Sequence, residues 1–152
     1  MKLRNWIDIP PVWLALALVV TWWLGAWRPF NLSFGGHWVG LPGGILVGGG
    51  LILMGLAVVE MRKWRTTFTP HRDADRLVTS GIFKRSRNPI YLGDPVVLAG
   101  LVIYWDVPIE LPLFPMFVWI IERRFILPEE NRLRRKFREE FFRYTEKTRR
   151  WV

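Results

Sequence analysis

Four apolar runs alternate with polar segments along the 152-residue chain. Residues 9–27 and 38–59 carry no charged side chain, and each run reaches the roughly 20 apolar residues that a membrane-spanning helix needs. Two shorter apolar runs follow at 90–105 and 111–127. The pattern predicts an all-α fold, a polytopic membrane bundle of about four transmembrane helices in which the third and fourth are closely paired.

The polar segment after residue 127 predicts a further, amphipathic helix. Pro128 followed by two glutamates is typical of a helix start, because the fixed proline φ and the carboxylates both suit that end. Four large apolar side chains then recur at spacings of four, four and three, and so share one face: Leu133, Phe137, Phe141 and Tyr144. We therefore expect a cytoplasmic C-terminal helix over about residues 128–147 with one apolar stripe.

Glu130 lies at the head of this stripe. It precedes Leu133 by three residues and therefore faces the same inward side, whereas Glu129 points about 100° away. A buried acid is costly unless it has a partner. Two interpretations stay open on this pattern: Glu130 pairs with one of the many arginines, or it binds a ligand.

Glycines are concentrated in the second apolar run. The stretch GGILVGGG lacks the Lys-Ser/Thr pair of a phosphate-binding loop, and no strand pattern precedes it. Gly40, Gly44 and Gly48 are spaced by four and so share one helix face. Small residues at such spacing favour close helix packing, and we expect this face to meet another helix.

Lysine and arginine are distributed unevenly over the polar segments. The chain has 22 of them against 13 acids, for a net charge of +9. Two precede the first apolar run, one follows it, eight lie in residues 62–87 and eleven lie from residue 123 onwards. If all four apolar runs cross the membrane, 21 of the 22 lysines and arginines lie on the same side of it. This predicts an integral membrane protein with both termini in the cytoplasm, in the cytoplasmic membrane if the cell is bacterial.

Several classes of chemistry and partner are excluded or disfavoured. A nucleic-acid-binding protein has no reason to segregate its cations in this way, so no nucleic-acid partner is predicted. The chain has no cysteine, which excludes disulfides and thiolate catalysis. His37 and His71 lie in loops on opposite faces of the predicted bundle, so no metal site is expected.

A rigid polar corner precedes the third apolar run, in the stretch KRSRNPIYLG at residues 84–93. Asn88 must leave helical geometry there, because a residue before proline avoids it. The freed backbone groups at the membrane surface are satisfied by protein, water or a ligand. The corner is therefore either a simple interfacial stop for the helix or a surface that presents backbone groups to a ligand from the cytoplasm.

Asp94 lies inside the third apolar run, one turn beyond the corner. An ionisable group in such a segment is costly and is a functional candidate by default. It either pairs with an arginine of the corner or faces a cationic substrate.

Two separated motifs resemble the signature of one family. Residues 77–93, LVTSGIFKRSRNPIYLG, and residues 129–151, EENRLRRKFREEFFRYTEKTRRW, are similar in kind and order to the two halves of the isoprenylcysteine carboxyl methyltransferase and phospholipid methyltransferase signature. That superfamily consists of integral membrane methyltransferases that use S-adenosylmethionine. The resemblance implies one methyltransferase domain over 1–152, with an N-terminal helical pair (1–64) and a donor-binding catalytic core (65–152).

The resemblance also implies a set of site residues. The methyl donor would enter from the cytoplasm and rest between the corner and the C-terminal helix, capped by the tail. Its candidate binding residues are Val78, Gly81, Phe83, Asn88, Pro89, Tyr91, Leu92, Gly93, Glu129 and Glu130. The candidate catalytic residues are Glu130, which matches the family's essential glutamate, with Arg87, Asp94 and Lys147.

The methyl acceptor is expected to be lipophilic or lipid-linked, arriving from the membrane, and the donor product is S-adenosylhomocysteine. A carboxylate acceptor needs a cation to position it, for which Arg87 and Lys147 are candidates; an amine needs a nearby acid, for which Asp94 and Glu130 are candidates. The non-enzymatic alternative is a membrane anchor or scaffold whose basic tail binds anionic lipid or a partner.

Overall fold

Helices account for every regular element in the described part of the chain. A computed structural model describes residues 9–66 and 74–152. The helices are α1 (Pro10–Trp27), α2 (Gly40–Lys63), α3 (Pro89–Tyr104), α4 (Leu113–Ile121) and α5 (Leu127–Lys147). Their bounds follow the apolar runs and the amphipathic stripe closely, and the predicted all-helical fold is confirmed.

α1 and α2 are the helices long and apolar enough to cross a membrane in the described residues. Only 11% of the apolar window of each is buried inside the protein. The core helix of a soluble protein buries far more of its apolar surface, so this exposure is typical of helices that contact lipid. The shorter apolar helices α3 and α4, of 16 and nine residues, complete the bundle.

A π-helical turn, Glu122–Ile126, joins α4 to α5 without a break. The amide of Leu127 donates to the carbonyl of Glu122, five residues back. α4, the π turn and α5 therefore follow one another without a loop from residue 113 to 147, and α5 is kinked at Arg138, whose φ is 40°.

Two buried clusters join these elements. The first lies between α3 and α4 and includes Leu98, Val102, Phe117 and Ile121. The second joins α2, the loop before α3, and α5; its members are Ala57, Leu77, Val78, Phe83, Phe141 and Tyr144. The second cluster packs the half-apolar stretch 77–83 against α2 and α5.

Hydrogen bonds to two acids close the end of the bundle opposite the corner. The hydroxyl of Thr21 on α1 donates to Glu110 at 2.8 Å. The Ser33 hydroxyl and the Phe34 amide donate to Asp106, and they hold the pKa of that carboxyl below its usual value. The α3–α4 connection thereby ties α1 and the α1–α2 loop to the rest of the bundle.

α2 and α3 pack backbone to backbone along a seam of four glycines. Gly43 and Gly50 on α2 meet Gly100 and Gly93 on α3. A Cβ atom at Gly100 would lie 2.7 Å from the amide nitrogen of Val47 and 2.8 Å from the carbonyl oxygen of Gly43. A Cβ atom at Gly50 would lie 3.0 Å from the carbonyl oxygen of Gly93. Glycine is therefore the residue that this approach of two backbones requires.

The predicted packing face of α2 is wrong. Gly44 and Gly48 have no described atom within 4 Å of a built Cβ, and Gly40 reaches only the ring of Tyr104, at 4.0 Å. The glycines that pack are seven residues apart and match a pair seven apart on α3. Spacing within one helix cannot show which of several glycine faces meets a partner, because the partner's own small residues decide it.

We expect Gly100→Ala to destabilise the protein by about 2–3 kcal/mol, because its methyl group would overlap backbone atoms that cannot move aside. For a chain of this length that lowers the thermal midpoint by roughly 4–12 °C. Gly44→Ala is the matched control, since its methyl group points away from described atoms, and it should leave the midpoint unchanged or raise it slightly. Equal thermal midpoints for the two variants in detergent micelles would contradict the close contact of the α2 and α3 backbones at Gly100.

Candidate functional site

Asn88 forms a buried corner at the start of α3. Its φ of −131° leaves helical geometry immediately before Pro89, as the proline predicts. The Asn88 backbone amide donates to the Ser86 hydroxyl oxygen at 3.2 Å, and its side-chain amide donates to the carbonyl of Arg150, also at 3.2 Å. The chain's own C-terminal segment therefore satisfies groups that the corner frees.

The tail, residues 148–152, lies across the loop that leads into this corner. The amide of Arg87 donates to the carbonyl of Arg149 at 3.0 Å. The Thr148 hydroxyl donates to the carbonyl of Lys84 at 3.4 Å. These contacts place the tail over the corner, while its role as a cap on a donor site stays a prediction.

Glu130 is 4% exposed and lies between two arginines. The Nε atom of Arg150 lies 3.2 Å from both carboxylate oxygens, and its Nη2 atom lies 2.8 Å from one of them. The Nη2 atom of Arg87 approaches the other oxygen at 3.3 Å. Glu130 therefore has the arginine partners of the first interpretation, while its role toward a ligand stays a prediction.

Arg150 joins a second acid to this cluster. Its Nη1 atom donates to Glu122 of the π turn at 2.6 Å. The hydrogen bonds with Glu130, together with the charge of both acids, raise the pKa of the Arg150 guanidinium above its usual value. The cluster thus holds carboxylates and guanidinium groups within one hydrogen-bonded set, beneath the tail.

A cavity of about 420 Å³ lies beside this cluster, between the first turn of α1, the second half of α2 and the foot of α3. That volume is within the range of small-molecule sites, about 300–1,000 Å³. Its apolar wall includes Pro11, Met54, Val58, Met61 and Phe83. Its polar groups are Arg87, Asn88, Tyr91, Asp94 and Glu129. The cavity therefore brings together residues from both halves of the chain.

Tyr91 and Glu129 bridge α3 and α5 along the cavity wall. The Tyr91 hydroxyl donates to a Glu129 carboxylate oxygen at 2.6 Å, and the Tyr91 ring stacks on Phe125 with the centroids 6.3 Å apart. Pro89 lies on the same wall. The foot of α3 is thereby held against the start of α5.

Asp94 lies one turn beyond Tyr91 and also lines the cavity. Its side chain is 1% exposed, and neither carboxylate oxygen has a hydrogen-bond partner among the described residues. The arginine pairing considered for it from the sequence is wrong within this part of the chain, because Arg87 of the corner points to Glu130 instead.

The loop before the corner contributes mainly to the support of the site. The Tyr144 hydroxyl donates to the carbonyl of Phe83 at 2.6 Å, and burial raises the pKa of that phenol, which keeps it a donor. Val78 packs in the same cluster. Gly81 has a φ of 58°, which favours glycine, and a Cβ atom there would lie 2.7 Å from the Glu60 carboxylate.

Three predicted site residues lie elsewhere. Gly93 packs in the glycine seam against Met54, and Leu92 is a half-buried residue of α3 whose amide continues the helix from Asn88. Lys147 lines a separate surface depression with Lys84. The structure thus gathers Arg87, Asp94 and Glu130 around the corner but leaves Lys147 apart from them.

Arg150 and Glu122 belong to the site but were not predicted from the sequence. The signal available was the Arg-Arg-Trp ending of the second motif; nothing local in the sequence indicates that Arg150 reaches two acids 20 and 28 residues back. No group of three or more acidic, histidine or cysteine side chains suited to a metal ion occurs among the residues the structure describes. His71 lies outside them.

Comparison with known proteins places the site in a wider context. A family model described as phospholipid methyltransferase matches residues 38–140, which is more than half of the chain. The match begins before α2 and ends within α5, so it includes the glycine seam, the corner, Asp94 and Glu130. No curated protein and no solved structure matches the chain.

Proposed function

The chain belongs to the phospholipid methyltransferase family of integral membrane methyltransferases, and on that premise we propose that it transfers a methyl group from S-adenosylmethionine to a lipophilic or lipid-linked acceptor. The single observation that carries the proposal is the cluster of Arg87, Asn88 and Glu130 under the tail, directly beside a cavity with apolar walls. Acceptor and donor would meet where the polar and apolar surfaces adjoin.

The residues present fit the donor by their chemistry. S-adenosylmethionine, when bound, supplies a methyl group on a positively charged sulfur, and it also carries an ammonium, a carboxylate and ribose hydroxyls. Glu129 and Glu130 accept from ammonium or hydroxyl groups, and Arg87 donates to a carboxylate. Arg87 also has a buried Nε atom without a partner among the described residues, which leaves donor capacity for a ligand.

The protein's own contribution is position and exclusion of water. Methyl transfer needs no covalent enzyme intermediate, so alignment of acceptor and donor supplies much of the rate. The corner at Asn88, fixed by Pro89 and the tail, holds its backbone in one geometry. The apolar wall of the cavity and the tail limit water access to the reacting groups.

We place this site on the cytoplasmic side of the membrane, with both termini there and residues 65–152 as the donor-binding core. The positive-inside bias of the lysines and arginines supports that orientation. The lipophilic acceptor reaches the cavity from the bilayer, and either a carboxylate or an amine on it is compatible with this part of the proposal.

We expect the purified protein to bind S-adenosylhomocysteine with a micromolar dissociation constant by titration calorimetry. It should bind adenosine at least tenfold more weakly, because adenosine lacks the carboxylate for Arg87 and the ammonium group for the glutamates. Incubation with methyl-labelled donor and a membrane lipid extract should then label one lipid class, which chemical analysis identifies. A monodisperse, folded sample without measurable S-adenosylhomocysteine binding would contradict the proposal.

A non-enzymatic scaffold is the alternative that the same experiments separate. Its support is the exposed basic side of α5, including Arg134, Arg135 and Arg138. A scaffold would bind anionic vesicles in a way that weakens with salt, and would bind neither S-adenosylhomocysteine nor adenosine.

A further inference from the structure

Asp94 is a buried acid in need of a partner that the described protein does not supply. It is 1% exposed, and both of its carboxylate oxygens lack hydrogen-bond partners among residues 9–66 and 74–152. A carboxylate in such a place costs several kcal/mol unless a cation or strong donors meet it. Because Asp94 lines the cavity, the missing partner has a place to bind.

The described polar neighbours of Asp94 on the cavity wall are engaged elsewhere. Arg87 pairs with Glu130 at 3.3 Å. The Tyr91 hydroxyl, one turn away from Asp94 on α3, donates to Glu129 at 2.6 Å. Among the described residues that line the cavity, the one arginine, Arg87, is therefore already held by an acid other than Asp94.

The rest of the wall suits a hydrocarbon chain. Met54, Val58 and Met61 from α2 and Pro11 from α1 face the same space. Methionine side chains adapt their shape to chains of varied geometry. A ligand that fits both parts of the cavity is therefore an amphiphile with a cationic head and an apolar tail.

We propose that Asp94 selects the acceptor, and that the cavity takes a lipophilic amine in preference to a carboxylate. The inference rests on the proposed function and narrows it to one acceptor class. A protonated amine would neutralise the buried Asp94 carboxylate on binding, whereas a carboxylate placed there would face it as a like charge. The amine would become a nucleophile only after its proton passes to that carboxylate, which frees the lone pair that takes the methyl group from the donor's sulfur. Asp94 is thus a specificity residue, separate from the donor-binding cluster around Glu130.

The test compares three probes of equal chain length: dodecylamine, dodecanol and dodecanoate, each radiolabelled, in equilibrium binding to the full-length protein in maltoside micelles. We expect the wild type to bind dodecylamine at least tenfold more tightly than either of the others. Asp94→Asn should remove that preference, while affinity for S-adenosylhomocysteine stays within twofold of the wild type.

Matched variants control for net charge and for folding. Glu139→Gln removes an exposed acid from α5 and should leave all three affinities within twofold, so a general charge effect is separated from Asp94. Asp94→Glu should keep the amine preference. If Asp94→Asn does not fold, the wild-type preference and its retention in Asp94→Glu decide the question.

Two results would overturn the inference: equal amine affinity in the wild type and a folded Asp94→Asn variant, or wild-type binding of dodecanoate as tight as that of dodecylamine. Failure of the proposed function has a different signature. Amine binding that depends on Asp94 without any S-adenosylhomocysteine binding would refute methyl transfer and leave the cation site standing.

Discussion

Glu130→Gln is expected to weaken S-adenosylhomocysteine binding by about 100-fold, or about 2.7 kcal/mol, and to lower turnover by at least the same factor. Glutamine keeps the shape of the side chain but removes the charge that Arg87 and Arg150 share. Loss of one member of a buried, hydrogen-bonded charge cluster costs about 2–5 kcal/mol, because the remaining charges keep their desolvation cost.

The effect should reach the donor by two routes. Glutamine offers one neutral carbonyl oxygen in place of two charged oxygens, so it accepts more weakly from the donor's ammonium or hydroxyl groups. Arg87, which lines the cavity, would also lose the carboxylate that fixes its position. Titration calorimetry measures the affinity for S-adenosylhomocysteine, and the initial rate of label transfer into lipid measures turnover.

Glu139→Gln is the control for this prediction, because Glu139 is an exposed acid of the same helix that pairs with Arg143 one turn away. Its affinity and turnover should stay within twofold of the wild type. A folded Glu130→Gln variant that binds S-adenosylhomocysteine as the wild type does would show that Glu130 serves the fold alone.

Arg150→Ala is expected to lower the free energy of unfolding by about 2–3 kcal/mol and the thermal midpoint by roughly 4–12 °C. The change leaves Glu122 and Glu130 close together with Arg87 as their one remaining cation in the described cluster. The value lies below the 3–5 kcal/mol typical of broken buried pairs, because the Arg150 side chain is 32% exposed and water screens part of the loss.

Arg149→Ala provides a matched comparison one residue away. Arg149 contributes its backbone carbonyl to Arg87, and alanine retains that carbonyl, while its own side chain is exposed. Its midpoint should lie within about 2 °C of the wild type, since surface substitutions seldom exceed 0.5 kcal/mol. Equal losses for the two variants would mean that the tail is held by its backbone and not by the acids.

Helix positions could be predicted from the sequence because each depends on local pattern. The first uncharged run ends where α1 ends, and the second ends four residues before the end of α2. The apolar stripe of α5 correctly assigns Glu130 to the buried side, and Glu129, about 100° away, is half-buried. The corner at Asn88 follows from one proline. In each case the information lies within a few residues, where backbone sterics and helix period determine the outcome.

Pairings between distant residues could not be predicted in the same way. The α2–α3 seam depends on glycines about 50 residues apart matching in register, and several glycine spacings on α2 were available. The partner of Glu130 had to be chosen among 22 cations, and Arg150 reaches it only because the tail turns back over the corner. Asp94 was identified from the sequence as unusual, but its missing partner is visible only in the fold.

The π turn between α4 and α5 governs which insertions and deletions this chain tolerates. A π turn is an α-helix carrying one additional residue, and the residues beyond it keep the direction they would have without that residue. If all five residues of 122–126 adopted α geometry, Glu130 would rotate by about 100° and leave its arginines. A homologous chain one residue shorter in this turn would preserve the same face, whereas a chain two residues shorter would not.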